Sequence, residues 1–326
     1  MGDDIDATLA RVTAVNDTDG DTVHRITTEL GGPALVLVPD NTSTSPDAPN
    51  KTARELGDEA RAAQRKGEFR EAARLYAQLA AASSGYLGPD HSETLGNRYE
   101  HAYCVGEAGE PAVARGLYET LVQDRLRVRD RDHVDTLRAR YQLAYYTGEG
   151  GDFATARDLL AALGSDCARV LGPDHTETFN TRYELARCTG KAGEPAKARD
   201  LYDVLVHDET RVLGPDHMNT LISRGQHARY TGRAGDPAKA RDLLRVLVQD
   251  RTRVLGPQHP RTLSSRAQYA RYTGEAGDTA AAQELGRALL VDVERVQGAG
   301  HPMVLSIRRR LAAWVGQPGD AGADPG

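Results

Sequence analysis

Stacked pairs of α-helices, an all-α solenoid, are the fold this sequence predicts, on three observations. Six histidines, His91, His133, His175, His217, His259 and His301, stand 42 positions apart, a fixed period of the size that marks a repeat array. Within each period apolar residues recur at helical spacing. Ala198, Leu201, Tyr202, Leu205 and Val206, for example, fall at i, i+3, i+4, i+7 and i+8. Glycine next to an acid separates the two helical runs of a unit, as in GKAGEP, and LGPD closes the third unit and two others. There glycine ends a helix and proline forbids its continuation.

Residues 1–50 do not share the period. They read as a short helix near Ile5 to Val15, a turn at NDTDGD, an apolar run ALVLVPD with strand character, and a linker, NTSTSPDAPN. Asp17, Asp19 and Asp21 alternate as in a calcium loop, but the glycine at the sixth loop position and the glutamate at the twelfth are missing, so a solvated turn is the better reading. Residues 51–90 form a worn first unit. Gly67, Glu68, Ala72, Leu75, Tyr76 and Leu79 precede Gly109, Glu110, Ala114, Leu117, Tyr118 and Leu121 by one period, while the opening histidine is missing. An end unit turns one face to water, so this unit is expected to cap the array.

Five full units follow, 91–132, 133–174, 175–216, 217–258 and 259–300, then a closing helix at 301–315 and a tail, 316–326, of disordered composition. In the third unit the first helix, A, carries Thr178, Phe179, Arg182, Ala186 and Thr189. GKAGEP, with two glycines and a proline, is expected to stop it. Helix B follows and ends at LGPD. The Asp-His pair is placed to cap the next helix A, and Pro260 and Pro302, directly after their histidines, suit the first helical position.

A small residue in helix A, an alanine twelve positions on in helix B, and a Gly-acid turn between them recur as Ala102 with Ala114, Ala144 with Ala156, Ala186 with Ala198 and Ala228 with Ala240. This pattern resembles the tetratricopeptide repeat. The long period and the exit VLGPDH are similar to the variant found in kinesin light chains and in actinobacterial multi-repeat proteins. The resemblance implies a right-handed α-solenoid of helix hairpins whose concave surface is lined by helix A, and a protein or peptide partner. It also implies a link to a separate nucleotide-binding signalling protein, since this chain holds no GxxxxGK[ST]. One departure is plain: Arg98, Arg140, Arg182, Arg224, Arg266 and Arg308 stand where the family usually places a large apolar or aromatic residue.

Composition narrows the function classes. A net charge of −6 with 5% aromatic residues gives no positive field for a phosphate backbone, so nucleic acid is not expected as a partner. No apolar run is long enough to span a bilayer and the N-terminus is acidic, so a cytoplasmic location and no membrane partner are the expectation. Cys104 and Cys188 occupy equivalent places two periods apart, beyond disulfide reach, and with Cys167 read as small buried residues. The histidines stand a whole unit apart and cannot converge on a metal, so capping is their reading and no metal or cofactor is expected. Each full unit also carries a repeated acid in helix B, Asp124, Asp166, Asp208, Asp250 or Asp292, which points to a structural ion-pair ladder.

Function is sought where the units differ. Lining the expected groove are Tyr99, Tyr141 and Tyr183 three positions before the helix-A alanine, replaced later by Gly225 and Ala267, and Tyr103, Tyr145, Arg187, Arg229 and Arg271 one position after it. The groove is thus tyrosine-rich first and arginine-rich later, suited to an extended peptide with acidic or C-terminal carboxylate groups at the arginine end. Glu100 and Glu184 are placed to neutralise some of these arginines. No HExxH, GxSxG or Cys-His pairing is present, and no catalytic residue is assigned. The leading expectation is a non-enzymatic binding scaffold in signalling or regulation. The alternative, an accessory biosynthetic enzyme with a small-molecule site inside the superhelix, requires a closed pocket and a perturbed group such as His101, His227 or Glu184.

Overall fold

The structure, a computed structural model, describes residues 52–315. The helix, turn, strand and linker expected within residues 1–50, and the tail at 316–326, lie outside the described residues. Among the described residues there are helices and no strands, in the order α1 (Ala53–Arg65), α2 (Phe69–Leu87), α3 (Ser92–Glu107), α4 (Pro111–Val128), α5 (Val134–Glu149), α6 (Phe153–Val170), α7 (Thr176–Lys191), α8 (Pro195–Leu213), α9 (Met218–Arg233), α10 (Pro237–Leu255), α11 (Pro260–Glu275), α12 (Thr279–Gln297) and α13 (Pro302–Val315). Each helix packs on the one before and the one after it. Helices A of neighbouring units also touch, α3 with α5, α5 with α7, α9 with α11 and α11 with α13. The result is an α-solenoid with a row of A helices along one side.

Every helix A starts the same way. The histidine ring accepts, through Nδ1, the backbone N–H two residues on, at 3.2 Å in all six cases. An Nδ1 that accepts takes the place of the side-chain oxygen of a Ser or Asp cap, so these residues are caps of that kind built from imidazole. The helix-A stop differs from the sequence expectation in one respect. Helix α7 runs through Gly190 to Lys191, and only Gly193, at φ 93°, turns the chain. Gly190 is a packing residue: a Cβ there would lie 2.1 Å from the ring of Tyr230 in the next unit. Gly106 and Gly232 receive Tyr146 and Tyr272 at the same distance, and Gly274 receives Trp314 at 2.8 Å. The Tyr272 hydroxyl then donates to the Arg229 carbonyl at 2.9 Å, pinning one unit to the next.

The core is a line of small contacts with rings between them. Ala102, Ala114, Ala144, Ala156, Ala186, Ala198, Ala228 and Ala240 are all fully buried, which lets helices A and B of a unit approach closely. The joints between units are not alike. Tyr118 stacks on Tyr146 at 5.7 Å between the first and second units, and Tyr202 on Tyr230 at 5.6 Å between the third and fourth. Between the second and third the corresponding residues are Leu160 and Cys188. All three cysteines are free and buried, and burial pushes the Cys104 and Cys188 thiols up to about 12.

The arginine column is a structural ladder. Arg98–Asp124, Arg140–Asp166, Arg182–Asp208, Arg224–Asp250 and Arg266–Asp292 pair at 2.7–2.9 Å. A second arginine on helix B clamps the turn that opens the unit: Arg169 holds Asp132, Arg211 holds Asp174 and Arg253 holds Asp216, each at 2.6 Å. Burial works against the Asp166 carboxylate, but hydrogen bonds from Arg140, Arg131 and Arg169 outweigh it and hold its pKa below the usual range. The pairs are half-buried, Arg140–Asp166 most of all, so their attraction is set against the desolvation of both partners and the ladder fixes the register of the helices more than it stabilises them.

Candidate functional site

The contacts that join one helix A to the next define the site. Gln64 Nε2 donates to Glu100 at 3.2 Å, Gln142 to the Tyr99 hydroxyl at 3.1 Å, and Gln226 to the Tyr183 hydroxyl at 3.4 Å. Arg138 pairs with Glu177 at 2.7 Å, and Arg187 with Glu149 at 3.1 Å. In the first full unit the residues concerned are Glu93, Gly96, Glu100, Tyr103 and Glu107, and their equivalents recur in each later unit. Their alternating three- and four-residue spacing makes one stripe on a helix, so the A helices together carry a continuous polar strip.

The eight residues expected to line a groove fall into distinct places. Tyr99 and Tyr183 meet helix-B rings edge-on, Tyr118 at 5.4 Å and Tyr202 at 5.5 Å, and offer their hydroxyls to the strip. Burial pushes the Tyr99 phenol up to about 12, so it stays a donor at any ordinary pH. Tyr103 sits edge-on to Phe69 at 6.5 Å. Tyr141 and Tyr145 stack at 6.5 Å, and the Arg187 guanidinium lies 5.8 Å over the Tyr145 ring. Arg187 is only 4% exposed and also bonds Glu184 at 2.7 Å. The structure thus gathers Tyr141, Tyr145 and Arg187 with Glu149 and Glu184 into one cluster between the second and third units. Arg229 is 6% exposed and lies 5.9 Å from the Tyr230 ring, while Arg271 lies 4.9 Å over Tyr272 and pairs with Glu275 at 2.6 Å. Glu184 neutralises an arginine, as its position foretold. Glu100 instead accepts from Gln64, and burial raises its pKa.

Sequence reading missed a second set, on helix B. At one buried place per unit stand Arg125, Cys167, Glu209, Arg251 and Val293, against Ala139, Thr181, Ser223, Ser265 and Ile307 of the next unit. Arg251 donates to the Leu221 carbonyl at 2.7 Å, the Arg261 carbonyl at 3.1 Å and the Ser265 hydroxyl at 2.6 Å. Gly225 leaves it room: a Cβ there would meet Arg251 Nη2 at 3.2 Å. Desolvation, followed by Arg261 and Arg224, pulls the Arg251 guanidinium down to about 10. The signal available in the sequence was the change of chemical type at one fixed place in the period.

Two of the groups named for the enzyme reading, His101 and His227, are perturbed and stand apart. Burial lowers the pKa of His101 and of His227, whose Nε2 lies 3.6 Å from Asp203 Oδ1. They stand three units apart, in the column of Leu185. Leu185 belongs to an open groove with Arg157, Ala161, Leu201 and Val204, away from the strip. Among the described residues no three His, Cys, Asp or Glu side chains cluster to hold a metal, and no helix is long and apolar enough to cross a membrane.

The fold defines the class: a tetratricopeptide-like array of helix hairpins. A family model for the tetratricopeptide repeat matches residues 220–261. Among solved structures, a Podosopora anserina protein described as a kinesin light chain with nearly identical TPR-like repeats is 24% identical, with 61% of this chain and 95% of that one covered and a TM-score of 0.56. BtubC (BKLC) from P. vanneervenii, at 14% identity, covers 83% of this chain and 96% of its own with a TM-score of 0.52. Pseudomonas aeruginosa pilF, at 13%, covers 79% and 97%, again at 0.52. At these identities the likeness is one of fold. The sequence has no match among curated proteins.

Proposed function

We propose that this protein is a non-enzymatic scaffold that takes a segment of a partner protein along the inner strip, in bacterial signalling or regulation. The observation that supports it is the change along the helix-A strip from the Tyr103 and Tyr145 rings to the Arg229 and Arg271 guanidinium groups, of which Tyr103 and Arg271 are half-buried and Tyr145 and Arg229 buried. Rings supply contact area at low entropic cost, and guanidinium groups recognise carboxylates, so the acidic or C-terminal groups of the partner belong at the later units. A separate nucleotide-binding signalling protein is the candidate partner implied by the resemblance to long-period arrays.

The test is a pull-down from the source lysate with the full chain and with its Tyr141→Ala and Arg229→Glu forms, each checked for native helicity. A protein captured by the parent and lost from both variants supports the reading. Capture indifferent to both substitutions rejects the strip as the binding surface.

A further inference from the structure

The helix-B place that holds Arg251 is in register with the second residue after the capping histidine of the next helix A. Joint by joint, the two places hold Arg125 and Asp135, Cys167 and Glu177, Glu209 and Asn219, Arg251 and Arg261, and Val293 and Met303. The joint between the first and second units and the joint between the fourth and fifth share a geometry. Arg125 Nη1 donates to the Asp135 carbonyl, and Arg251 Nη1 to the Arg261 carbonyl. Their charges differ. Burial lowers the Arg125 pKa, Asp135 is the chief charge opposing that, and the guanidinium lies 5.4 Å from the Tyr99 ring. Three units later Arg261 stands in place of Asp135 and Gly225 in place of Tyr99, so an acid and a ring have become a second base and a bare backbone.

Among the described residues the hydrogen bonds of Arg251 go to neutral oxygens, the Leu221 and Arg261 carbonyls and the Ser265 hydroxyl, and its Nε has no partner. The acids on the helices around it are engaged elsewhere. Helix α9 carries none, Asp242 and Asp250 of α10 are held by Arg241, Arg224 and Arg253, and Glu275 of α11 pairs with Arg271. One unit back in the same column, Glu209 has Ser223 and Arg182 as its polar neighbours. After desolvation, the charges acting on Arg251 are Arg261 and Arg224, and the pKa of His259 is lowered by burial and then by Arg261 and Arg251. The first turn of α11 holds no acid, so the positive end of its dipole adds to the same field. Gly225 and Arg261 are half-buried, and Arg251 Nη2 stands 3.2 Å from where a Cβ on Gly225 would be, so a ligand meets Arg261 first and Arg251 beneath it. Buried charges are tolerated when a counter-charge shares their site, and departures from that rule cluster at functional places. We propose that the joint between the fourth and fifth units is a carboxylate-binding site, in which a ligand carboxylate joins Arg251 and Arg261 as Asp135 joins Arg125. Guanidinium forks match a planar carboxylate. On the scaffold reading above, on which the source of this group rests, it is an Asp or Glu side chain of the partner segment.

The experiment uses the full chain, with Arg261→Asp as the central variant because that change rebuilds the Arg125 and Asp135 arrangement from within. In chloride, Arg261→Asp should melt above the parent. Part of that gain is the general benefit of an acid at a helix start, so the gain should shrink, without vanishing, when Arg251 is also replaced by Met. At matched ionic strength, acetate should raise the melting temperature of the parent above its value in chloride and leave Arg261→Asp unmoved. Labelled, amidated Gly-Ser peptides with a central Glu, Gln or phosphoserine, read by fluorescence anisotropy, test the source of the carboxylate. The Glu peptide is expected to bind the parent about tenfold tighter than the Gln peptide, the worth of a charge-assisted hydrogen bond. That preference should be lost in Arg261→Asp and in Arg251→Met.

An Arg261→Asp protein that melts below its parent, or gains as much without Arg251 as with it, overturns the uncompensated pair and the site with it. Equal binding of the Glu and Gln peptides with no effect of acetate overturns the site and leaves the scaffold reading to its own test. Tightest binding by the phosphoserine peptide, with phosphate more stabilising than acetate, overturns the carboxylate as the ligand class. If acetate stabilises the parent and not Arg261→Asp, while no peptide binds, the carboxylate site stands, its ligand is a free carboxylate, and the partner-segment reading fails at this joint.

Discussion

Replacing Gly190 by alanine tests whether the joints between units are as tight as their geometry implies. In an ordinary helix interior this change stabilises by roughly 0.5–1 kcal/mol, because alanine loses less backbone entropy. Here the new methyl would lie 2.1 Å from the Tyr230 ring, against the roughly 3.5–4.0 Å that carbon atoms require, so the ring must retreat by more than an ångström. It has nowhere to go. Tyr230 is fully buried, stacks on Tyr202 at 5.6 Å and bonds the Arg187 carbonyl at 3.5 Å. Overpacking costs about 1–3 kcal/mol and loss of a ring pair about 0.5–1.5 kcal/mol, so a net destabilisation of about 2–4 kcal/mol is expected. The same substitution at Gly148, where Cys188 Sγ stands at 3.3 Å, asks its neighbour to give only a few tenths of an ångström and should cost under about 1 kcal/mol. Urea melts followed by circular dichroism compare the two, with the first transition taken as the readout because arrays need not unfold in one step. Adding Tyr230→Cys to Gly190→Ala copies the arrangement of the Gly148→Ala variant against Cys188 and should recover part of the loss. A Gly190→Ala protein as stable as its parent would refute the packing account.

Other expectations follow from individual contacts. Desolvation pushes the Glu209 carboxyl up to about 7 from an ordinary value of 4.5, against opposing help from Ser223 and Arg182. The native state thus holds this proton when the unfolded chain has released it, and the stabilisation, at most about 3 kcal/mol, is lost as pH rises through 7. Glu209→Gln should flatten that part of the stability profile between pH about 4.5 and 7; an unchanged slope would count against it. His175→Ala removes a helix cap and should cost about 0.5–2 kcal/mol, whereas His175→Asn, which keeps an acceptor, should cost less, as thermal melts can show. Cutting one rung of the ladder with Asp208→Asn should cost no more than about 1 kcal/mol, since both partners keep water contact. A much larger loss in a denaturant melt would make the ladder a stabilising core element.

What could be read in the sequence was whatever the repeat writes many times over. The six histidines, the paired alanines and the arginine column each recur at one period, and each has one structural role in every unit. Singular chemistry was harder to read. Gly190 looked like a helix breaker because glycine is costly in a helix, and only the ring arriving from 40 residues later explains it. Tyr99 and Tyr183 shared a column with Tyr141, but their partners, Tyr118 and Tyr202, lie on helix B, where Leu160 takes the equivalent place beside Tyr141. The Glu100 side chain, beside the same columns, found a glutamine from the cap unit instead of an arginine, a choice made by the preceding unit.

The alternation of joints has a consequence for how the array moves. Stacked rings close the joint between the first and second units and the joint between the third and fourth, whereas the joint between the second and third sets a leucine and a cysteine in the core and relies more on ions, Arg138 to Glu177, Arg187 to Glu149 and Arg157 to Glu194. Apolar stacks are indifferent to ionic strength, and partly exposed ion pairs are not. Of these three joints, the one between residues 91–174 and 175–258 is therefore the one whose strength the surrounding salt can adjust.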